Sequence, residues 1–203
     1  MARGDAIHKE AEAYVRGTLT RLPMSLKLVK DDATYLRKFF KSKPESIWVE
    51  DQWAFNNRWE ATGWFSPDCW VRIKVDVAHI EEDNIVTITD WKSGKFRQDN
   101  LHDYLEQLEL YALGALSVFG SILETDSLIV RPRLVYVDAG IVYPEPGALE
   151  FSMENVEELK SSWGKKTKKM LTDKKFEPTP NRYCYSCHYR ANNAANGGGQ
   201  CKY

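Results

Sequence analysis

The chain has few cysteines and no long apolar segment, and each shortage excludes a class of protein. Four cysteines are few for 203 residues. In a chain without a secretion signal they suggest a metal before they suggest disulfides. No apolar run approaches the ~18–20 residues of a membrane span, and the first residues lack the apolar core of a signal peptide. We therefore expect a cytoplasmic protein.

Extremes of composition are absent as well. Apolar residues make up 43% of the chain and charged residues 28%, a globular balance that argues against long disorder, collagen-like chains and coiled coils. The length suits one compact domain and is too short for two of ordinary size.

Net charge is also small, but its distribution is uneven. The formal net charge is −1. Residues 160–203 carry ten Lys and Arg against two acidic residues, so the preceding 159 residues are strongly acidic. An acidic body with a basic end fits a polyanionic partner that binds at one end. The alternative is a basic helix face that only contacts solvent.

Apolar periodicity predicts a mixed α/β domain. Odd-numbered residues between 70 and 77 are apolar, which is the period-two pattern of a half-buried strand. A turn at 82–84 leads to a second strand over 85–92, so the two form a hairpin. Helices are expected over 3–17, 31–43, 99–116 and from 152, and further strands over 47–55, 128–137 and 140–143.

Two acids and a lysine of this hairpin are candidates for catalysis. Asp90 and Lys92 are two residues apart on a strand, so their side chains share a face, and the hairpin brings Asp76 to the same end. Adjacent carboxylates repel unless a cation lies between them, and hard oxygen ligands suit Mg²⁺ or Mn²⁺. A lysine beside such an ion stabilises charge on a phosphate. The alternative is a surface salt-bridge network.

The order of these motifs resembles the PD-(D/E)XK nuclease superfamily. Asp76 matches the family's first acid, and residues 90–94 (DWKSG) match the end of its next strand. Gln107 and Tyr111 match a Gln-x-x-x-Tyr helix, and Gly4 to His8 resembles an early Gly-x-x-x-His motif. The chain looks most like the RecB-like branch, which includes CRISPR-associated exonucleases and phage exonucleases. The resemblance implies a restriction-endonuclease-like α/β core, with a central mixed β-sheet flanked by helices and a small Cys-containing tail.

The resemblance also implies a role for each matching residue. Asp76 and Asp90 would be catalytic metal ligands, together with the Trp91 carbonyl and His8, and Lys92 would position the attacking water. The expected DNA contacts are Gln107, Tyr111, Lys95 and Arg97; the first two would reach a substrate phosphate or Lys92, and the last two equally fit a solvated loop. Glu50 echoes a further acid of the family but receives no role.

A second group of candidate ligands lies near the end of the chain. Cys184, Cys187 and Cys201 resemble the C-terminal ligands of [4Fe–4S]-bearing members, but the fourth ligand of the family, a cysteine ahead of His8, is lacking, and Cys69 fits a buried core residue better than a ligand. His188 would complete a Cys₃His zinc site, and a reduced site without metal is the remaining alternative. The expected division is a nuclease domain over 1–176 and a Cys-rich tail over 177–203. The lack of a cysteine ahead of His8 implies a minimal phage-type member or a truncated one.

We therefore expect a Mg²⁺- or Mn²⁺-dependent DNA exonuclease that acts in recombination, repair or processing. Its DNA would be single-stranded or have free ends, and a phage-encoded enzyme would work in the host cytoplasm. One alternative is a catalytically weak or inactive DNA-binding or assembly subunit. The other is a zinc-stabilised interaction module, and oligomerisation stays open.

Overall fold

One mixed sheet of six strands organises the chain in the computed structural model, which describes residues 2–81, 84–175, 177–187, 189–190 and 201. Its helices and strands, in chain order, are α1 (Ala2–Val15), α2 (Lys30–Ser42), β1 (Ile47–Phe55), β2 (Val71–Ile80), β3 (Ile85–Lys92), α3 (Leu101–Leu123), β4 (Ile129–Tyr136), β5 (Ile141–Tyr143), β6 (Phe151–Ser152) and α4 (Val156–Thr172). The expected α/β class with a central mixed sheet is confirmed.

The sheet combines an antiparallel meander with one parallel crossover. The strand order is β1-β2-β3-β4-β5, and β6 pairs with β4. The expected hairpin of β2 and β3 is present, with Val77 opposite Thr89. Strands β3 and β4 are parallel, and α3 makes the long connection that a parallel pair needs. This topology leaves the C-terminal end of β3, with Asp90 and Lys92, beside the end of β4.

Helices cover both faces of the sheet. Trp48 and Val49 are neighbours in β1 and therefore point to opposite faces. Val49 belongs to a buried cluster with α1 and α2, whereas the Trp48 ring lies 4.9 Å from that of Phe119 in α3. Trp91 is buried in the α1–α2 cluster, which fixes the strand that carries Asp90.

Helix α3 is longer than its sequence pattern predicts. The predicted end at 116 is wrong by about two turns, since the helix continues to Leu123 and stops where Glu124 adopts a left-handed φ of 50°. Phe119 explains the extension, because it is fully buried between Trp48 and Trp53. Tertiary packing therefore maintains turns that propensity alone does not require.

Strand β1 is irregular at Glu50. This residue has φ 53°, in the left-handed region that glutamate rarely adopts. Val49 packs with the α1–α2 cluster and Trp53 packs on Phe119 of α3, although residues four apart in a regular strand share one face. The regular alternation of side chains between the two faces of the sheet is therefore interrupted between Val49 and Trp53, where Glu50 has its left-handed conformation.

The chain divides into two compact units, Met1–Ser162 and Trp163–Tyr203, so the division falls within α4. The boundary expected after residue 176 stays a prediction. In the second unit, Cys184–Ser186 form one short 3₁₀ turn, and Arg190 makes an isolated bridge with Cys201. Among the described ranges, no helix combines the length and apolarity that crossing a membrane requires.

Candidate metal centre

Three carboxylates lie in one row across the first three strands. Val49 pairs with Val77 and Asp51 pairs with Val75, so Glu50 lies between these pairs, opposite Asp76. The register of β2 with β3, continued one residue past the Val77–Thr89 pair, sets Asp76 opposite Asp90. Adjacent strands are about 4.8 Å apart, so the row concentrates acidic side chains near the C-terminal end of β3.

Helix α1 adds an imidazole to this row. His8 Nδ1 lies 2.8 Å from Asp76 Oδ1. One donor atom each from His8, Glu50 and Asp76 lie within 4.8 Å of one another, and no other such group of three exists among the residues that the structure describes. Imidazole nitrogen and carboxylate oxygens together suit Mn²⁺ or Mg²⁺. The structure thus joins Glu50, which received no role from the sequence, to two predicted ligands.

Asp76 is a buried carboxylate beside a second carboxylate, and both features raise its pKa. It is only 6% exposed, and this burial raises its pKa, while the hydrogen bond with His8 lowers it and the charge of Asp90 raises it further. The Trp91 backbone N–H donates to its Oδ2 at 2.7 Å. A divalent cation offsets the cost of burying two neighbouring carboxylates, so the residues present fit such an ion.

Asp90 is held from the other face by α3. The Tyr111 hydroxyl donates to Asp90 Oδ1 at 2.5 Å, and Gln107 Nε2 donates to the Tyr111 oxygen at 2.9 Å. Burial, and next the charge of Asp90, raise the pKa of Tyr111, so its hydroxyl keeps the proton that it donates. The expected contact of Tyr111 with DNA or Lys92 stays a prediction, and in the structure its buried hydroxyl contacts the Asp90 carboxylate.

Lys92 lies beside the second oxygen of Asp90. Its Nζ is 2.8 Å from Asp90 Oδ2 as an ion pair, and this buried oxygen accepts no hydrogen bond of good geometry among the described residues. The Lys92 side chain is 29% exposed. Asp90 thus offers one carboxylate oxygen to a cation or a water, with an ammonium group beside it that solvent and substrate can reach.

Lys74 is a further charged residue of the centre that the sequence did not single out for a role. Its Nζ lies 2.5 Å from Glu50 Oε2, and the Glu50 side chain is only 14% exposed. The hydrogen bond to Glu50 raises the pKa of Lys74. The period of two places Lys74 on the same face of β2 as Asp76. Its partner Glu50, however, depends on the pairing of β1 with β2.

A groove gives solvent access to the centre. An open pocket of about 430 Å³ is lined by α1 residues that recur at the helical period and by two strand residues, namely Asp5, His8, Lys9, Glu12, Glu50 and Lys74. The donors of His8 and Glu50 therefore face a space large enough for an ion with its waters.

The remaining predicted residues are not members of the row. Lys95 and Arg97 are exposed on the loop after β3, where they follow Lys92 by three and five residues. Within the described part of the chain, Cys184, Cys187 and Cys201 do not form a group of three metal donors. His188, the fourth expected ligand, lies outside the described residues.

Comparisons with known proteins identify one family. No curated protein matches the chain. A family model described as the PD-(D/E)XK nuclease superfamily matches residues 2–192, a span that includes every strand and the whole metal centre. Members of this superfamily are mostly metal-dependent nucleases with a restriction-endonuclease-like core, and the six-stranded sheet with flanking helices has that architecture. The chain belongs to the PD-(D/E)XK nuclease superfamily.

Proposed function

We propose that the protein is a divalent-metal-dependent DNA exonuclease that hydrolyses phosphodiester bonds in recombination, repair or processing of DNA. The convergence of His8, Glu50 and Asp76 carries this proposal. Asp90 is the next residue of the row, and Lys92 forms an ion pair with it. A protein that only binds DNA gains nothing from burying adjacent carboxylates, because their mutual repulsion destabilises the fold.

The carboxylates and the imidazole would hold the cation. Asp76 and Asp90 would be its acidic ligands, with His8, the Trp91 carbonyl and Glu50 completing the set. A bound Mg²⁺ or Mn²⁺ supplies a water of lowered pKa and neutralises charge on the phosphate. Tyr111, which donates to Asp90 Oδ1, is a positioning residue: it leaves Oδ2 as the oxygen that faces the reaction.

Lys92 would act on the water and the phosphate. Its ammonium group orients the attacking water beside Asp90 Oδ2 and stabilises the negative charge that builds up on the phosphate oxygens. The water oxygen forms a bond to phosphorus as the bond to the 3′ oxygen breaks. The leaving 3′ oxygen takes up a proton in place of the one that the water loses, so the products are a 5′-phosphate and a 3′-hydroxyl.

The finer features of the proposal rest on the motifs. Preference for free ends or single strands follows from the resemblance of residues 90–94 and of Gln107 and Tyr111 to the RecB-like branch. A phage origin shares this basis, and a phage-encoded enzyme would work in the cytoplasm of its host. Lys95 and Arg97 would bind phosphates beyond the cleaved bond, because both are exposed cations directly after the catalytic strand.

Labelled DNA tests the proposal. Linear and circular single-stranded DNA are incubated with the protein in Mg²⁺, in Mn²⁺ or in chelator, and products are resolved by size. We expect metal-dependent loss of linear DNA, no cutting of circles, and rates lower by on the order of 10²–10³-fold for Lys92→Ala and Asp90→Asn.

Lys41→Ala, an exposed change on α2, is the matched control and should cleave like the wild type. Equal cleavage by wild type and Lys92→Ala would refute the assigned site. Cutting of circles would refute the exonuclease part alone. DNA binding without any cleavage would support the inactive binding subunit instead.

A metal at the cysteines stays a separate prediction. Among the described residues, Cys184, Cys187 and Cys201 do not form a group of three metal donors, so no step of the reaction is assigned to them. Elemental analysis and the absorption spectrum of the purified protein, compared with Cys184→Ser and Cys187→Ser, would detect iron or zinc that depends on these residues.

A further inference from the structure

A second pocket lies next to the metal centre, on the loop that follows β3. It has a volume of about 510 Å³, within the ~300–1,000 Å³ of small-molecule sites, and is lined by Gly94, Lys95, Phe96, Asp138, Ala139 and Ile141. Gly94 follows Lys92 by two residues, and the Val137 N–H donates to the Lys92 carbonyl at 3.0 Å. The pocket therefore begins within roughly 7 Å of the Lys92 backbone.

An aromatic ring forms one wall of this pocket. Phe96 is half-buried, and its ring packs against those of Tyr104, Tyr136 and Tyr143 at centroid distances of 5.6, 5.3 and 5.3 Å. The tyrosines hold the ring in place from one side while the ring lines the pocket on the other. Ile141 is 37% exposed, so apolar surface faces solvent at both walls.

The loop is held in this shape by the end of β4. Asp138 accepts hydrogen bonds from the Arg3 guanidinium at 2.8 and 2.5 Å and from the Gly94 N–H at 2.7 Å. The Arg3 contact and then the Gly94 contact lower the pKa of Asp138 to about 2. Gly94 has φ 106°, which other residues rarely adopt. The carboxylate therefore stays ionised with Arg3 as its counter-charge, and its bonds to Arg3 and Gly94 hold the loop that forms the pocket.

Charged residues lie beside the apolar walls, and two of them, Lys95 and Asp138, also line the pocket. Lys95 and Arg97 flank Phe96 and are exposed, and neither forms an ion pair with the residues that the structure describes. The loop therefore alternates cation, aromatic ring and cation. A single DNA strand alternates phosphates with flat bases, and its phosphates and bases are complementary to these two kinds of surface.

We propose that the pocket at Phe96 is a stacking site for an unpaired nucleobase of DNA, which makes single-stranded DNA next to the cleaved bond the substrate. Bases in a duplex have both faces covered by their neighbours, so only an unpaired base offers a free face to the ring. This inference depends on the proposed nuclease function for its biological meaning, but the pocket itself is separate from the residues that would hold the metal.

Binding of an oligonucleotide with one missing base tests the site. A fluorescent single strand is compared with versions that carry an abasic residue at successive positions, with fluorescence anisotropy in Ca²⁺, an ion chosen to support binding with little cleavage. One stacked base contributes about 1–3 kcal/mol, so we expect one abasic position to weaken binding by roughly 5- to 150-fold. Phe96→Leu, which keeps the apolar packing, should remove this penalty, and Phe96→Trp should keep it.

The two proposals fail in different ways. An equal abasic penalty in wild type and Phe96→Leu, or no penalty at any position, overturns the stacking site even if DNA is cleaved. A penalty that depends on Phe96, without cleavage in Mg²⁺ or Mn²⁺, supports the stacking site and refutes the nuclease proposal. Circular dichroism shows whether each variant is folded, and Ile141→Gln, which changes the opposite wall from the surface, should reduce the same penalty.

Discussion

At the scale of single residues, each carboxylate of the metal centre has its own positively charged or protonatable neighbour. His8 contacts Asp76, Lys74 contacts Glu50, and Lys92 contacts Asp90. These contacts reduce the repulsion within the row and allow it to fold without an ion. A divalent cation must then compete with them, and one competitor is Lys74, whose Nζ is 2.5 Å from Glu50 Oε2.

Replacement of Lys74 by methionine should therefore strengthen metal binding. Lys74→Met keeps most of the side-chain length and removes its charge from Glu50, so the electrostatic attraction for a dication rises. We expect a roughly tenfold lower Kd for Mn²⁺, which corresponds to about 1.4 kcal/mol, measured by titration calorimetry without DNA. Lys41→Met on exposed α2 is the control and should leave the Kd unchanged. A weaker Kd in Lys74→Met would show that this lysine supports the site rather than competes with the ion.

Part of this centre could be predicted from the sequence because it depends on local geometry. The period of two places Asp90 and Lys92 on one face, and the short hairpin brings Asp76 beside them. Glu50 and Lys74 required the pairing of β1 with β2 and a left-handed residue inside a strand, which no local pattern reveals. The nuclease motifs indicated Tyr111 but not its hydrogen bond to Asp90, because that contact depends on where α3 lies relative to β3.

At the scale of elements, the position of α3 on the sheet sets the geometry of Asp90. Tyr111 reaches Asp90 from the middle of this helix, and one turn later Gly114 brings its backbone close to the sheet. A Cβ at Gly114 would lie 2.6 Å from Ile73 Cδ1 and 3.3 Å from Trp53 Cε3. The helix pattern predicted α3 itself, whereas its depth on the sheet follows from this contact between distant segments.

Gly114→Ala should consequently destabilise the protein although alanine favours helices. The intrinsic preference gains about 1 kcal/mol, but overpacking against Ile73 and Trp53 costs about 1–3 kcal/mol. We expect a net loss of about 1 kcal/mol in the free energy of unfolding, measured in urea, and recovery of most of it in the double variant with Ile73→Val, which removes Cδ1. Gly164→Ala in α4 is the matched control and should stabilise, because a Cβ there has no atom within 4 Å. Stabilisation by both alanines would contradict the close approach.

At the scale of the whole molecule, the length of the β2–β3 hairpin separates the metal centre from a second charged cluster at its closed end. Glu81 directly follows β2, about 16 Å along the strand direction from Asp76. It accepts a hydrogen bond from Thr87 at 2.8 Å, and His79 Nε2 and an Arg131 nitrogen lie 3.3 and 4.0 Å from its carboxylate. These groups stabilise the closed end of the hairpin and do not reach the metal centre.

This separation predicts a change in stability without a change in activity. The contact with His79 and then the Thr87 hydroxyl and the Arg131 charge lower the pKa of Glu81 from 4.5 to about 2. Ionised Glu81 therefore stabilises the folded state fully above about pH 4.5, and this contribution is lost as the pH falls towards 2. Because the side chain is partly exposed, Glu81→Gln should lower the free energy of unfolding by only about 1–2 kcal/mol at pH 7, with the difference shrinking in urea titrations towards pH 2.5. Exposed Glu45→Gln is the control, and cleavage by folded Glu81→Gln at pH 7 should equal that of the wild type. A pH-independent difference, or a loss of cleavage by the folded variant, would show that the two ends of the hairpin are coupled.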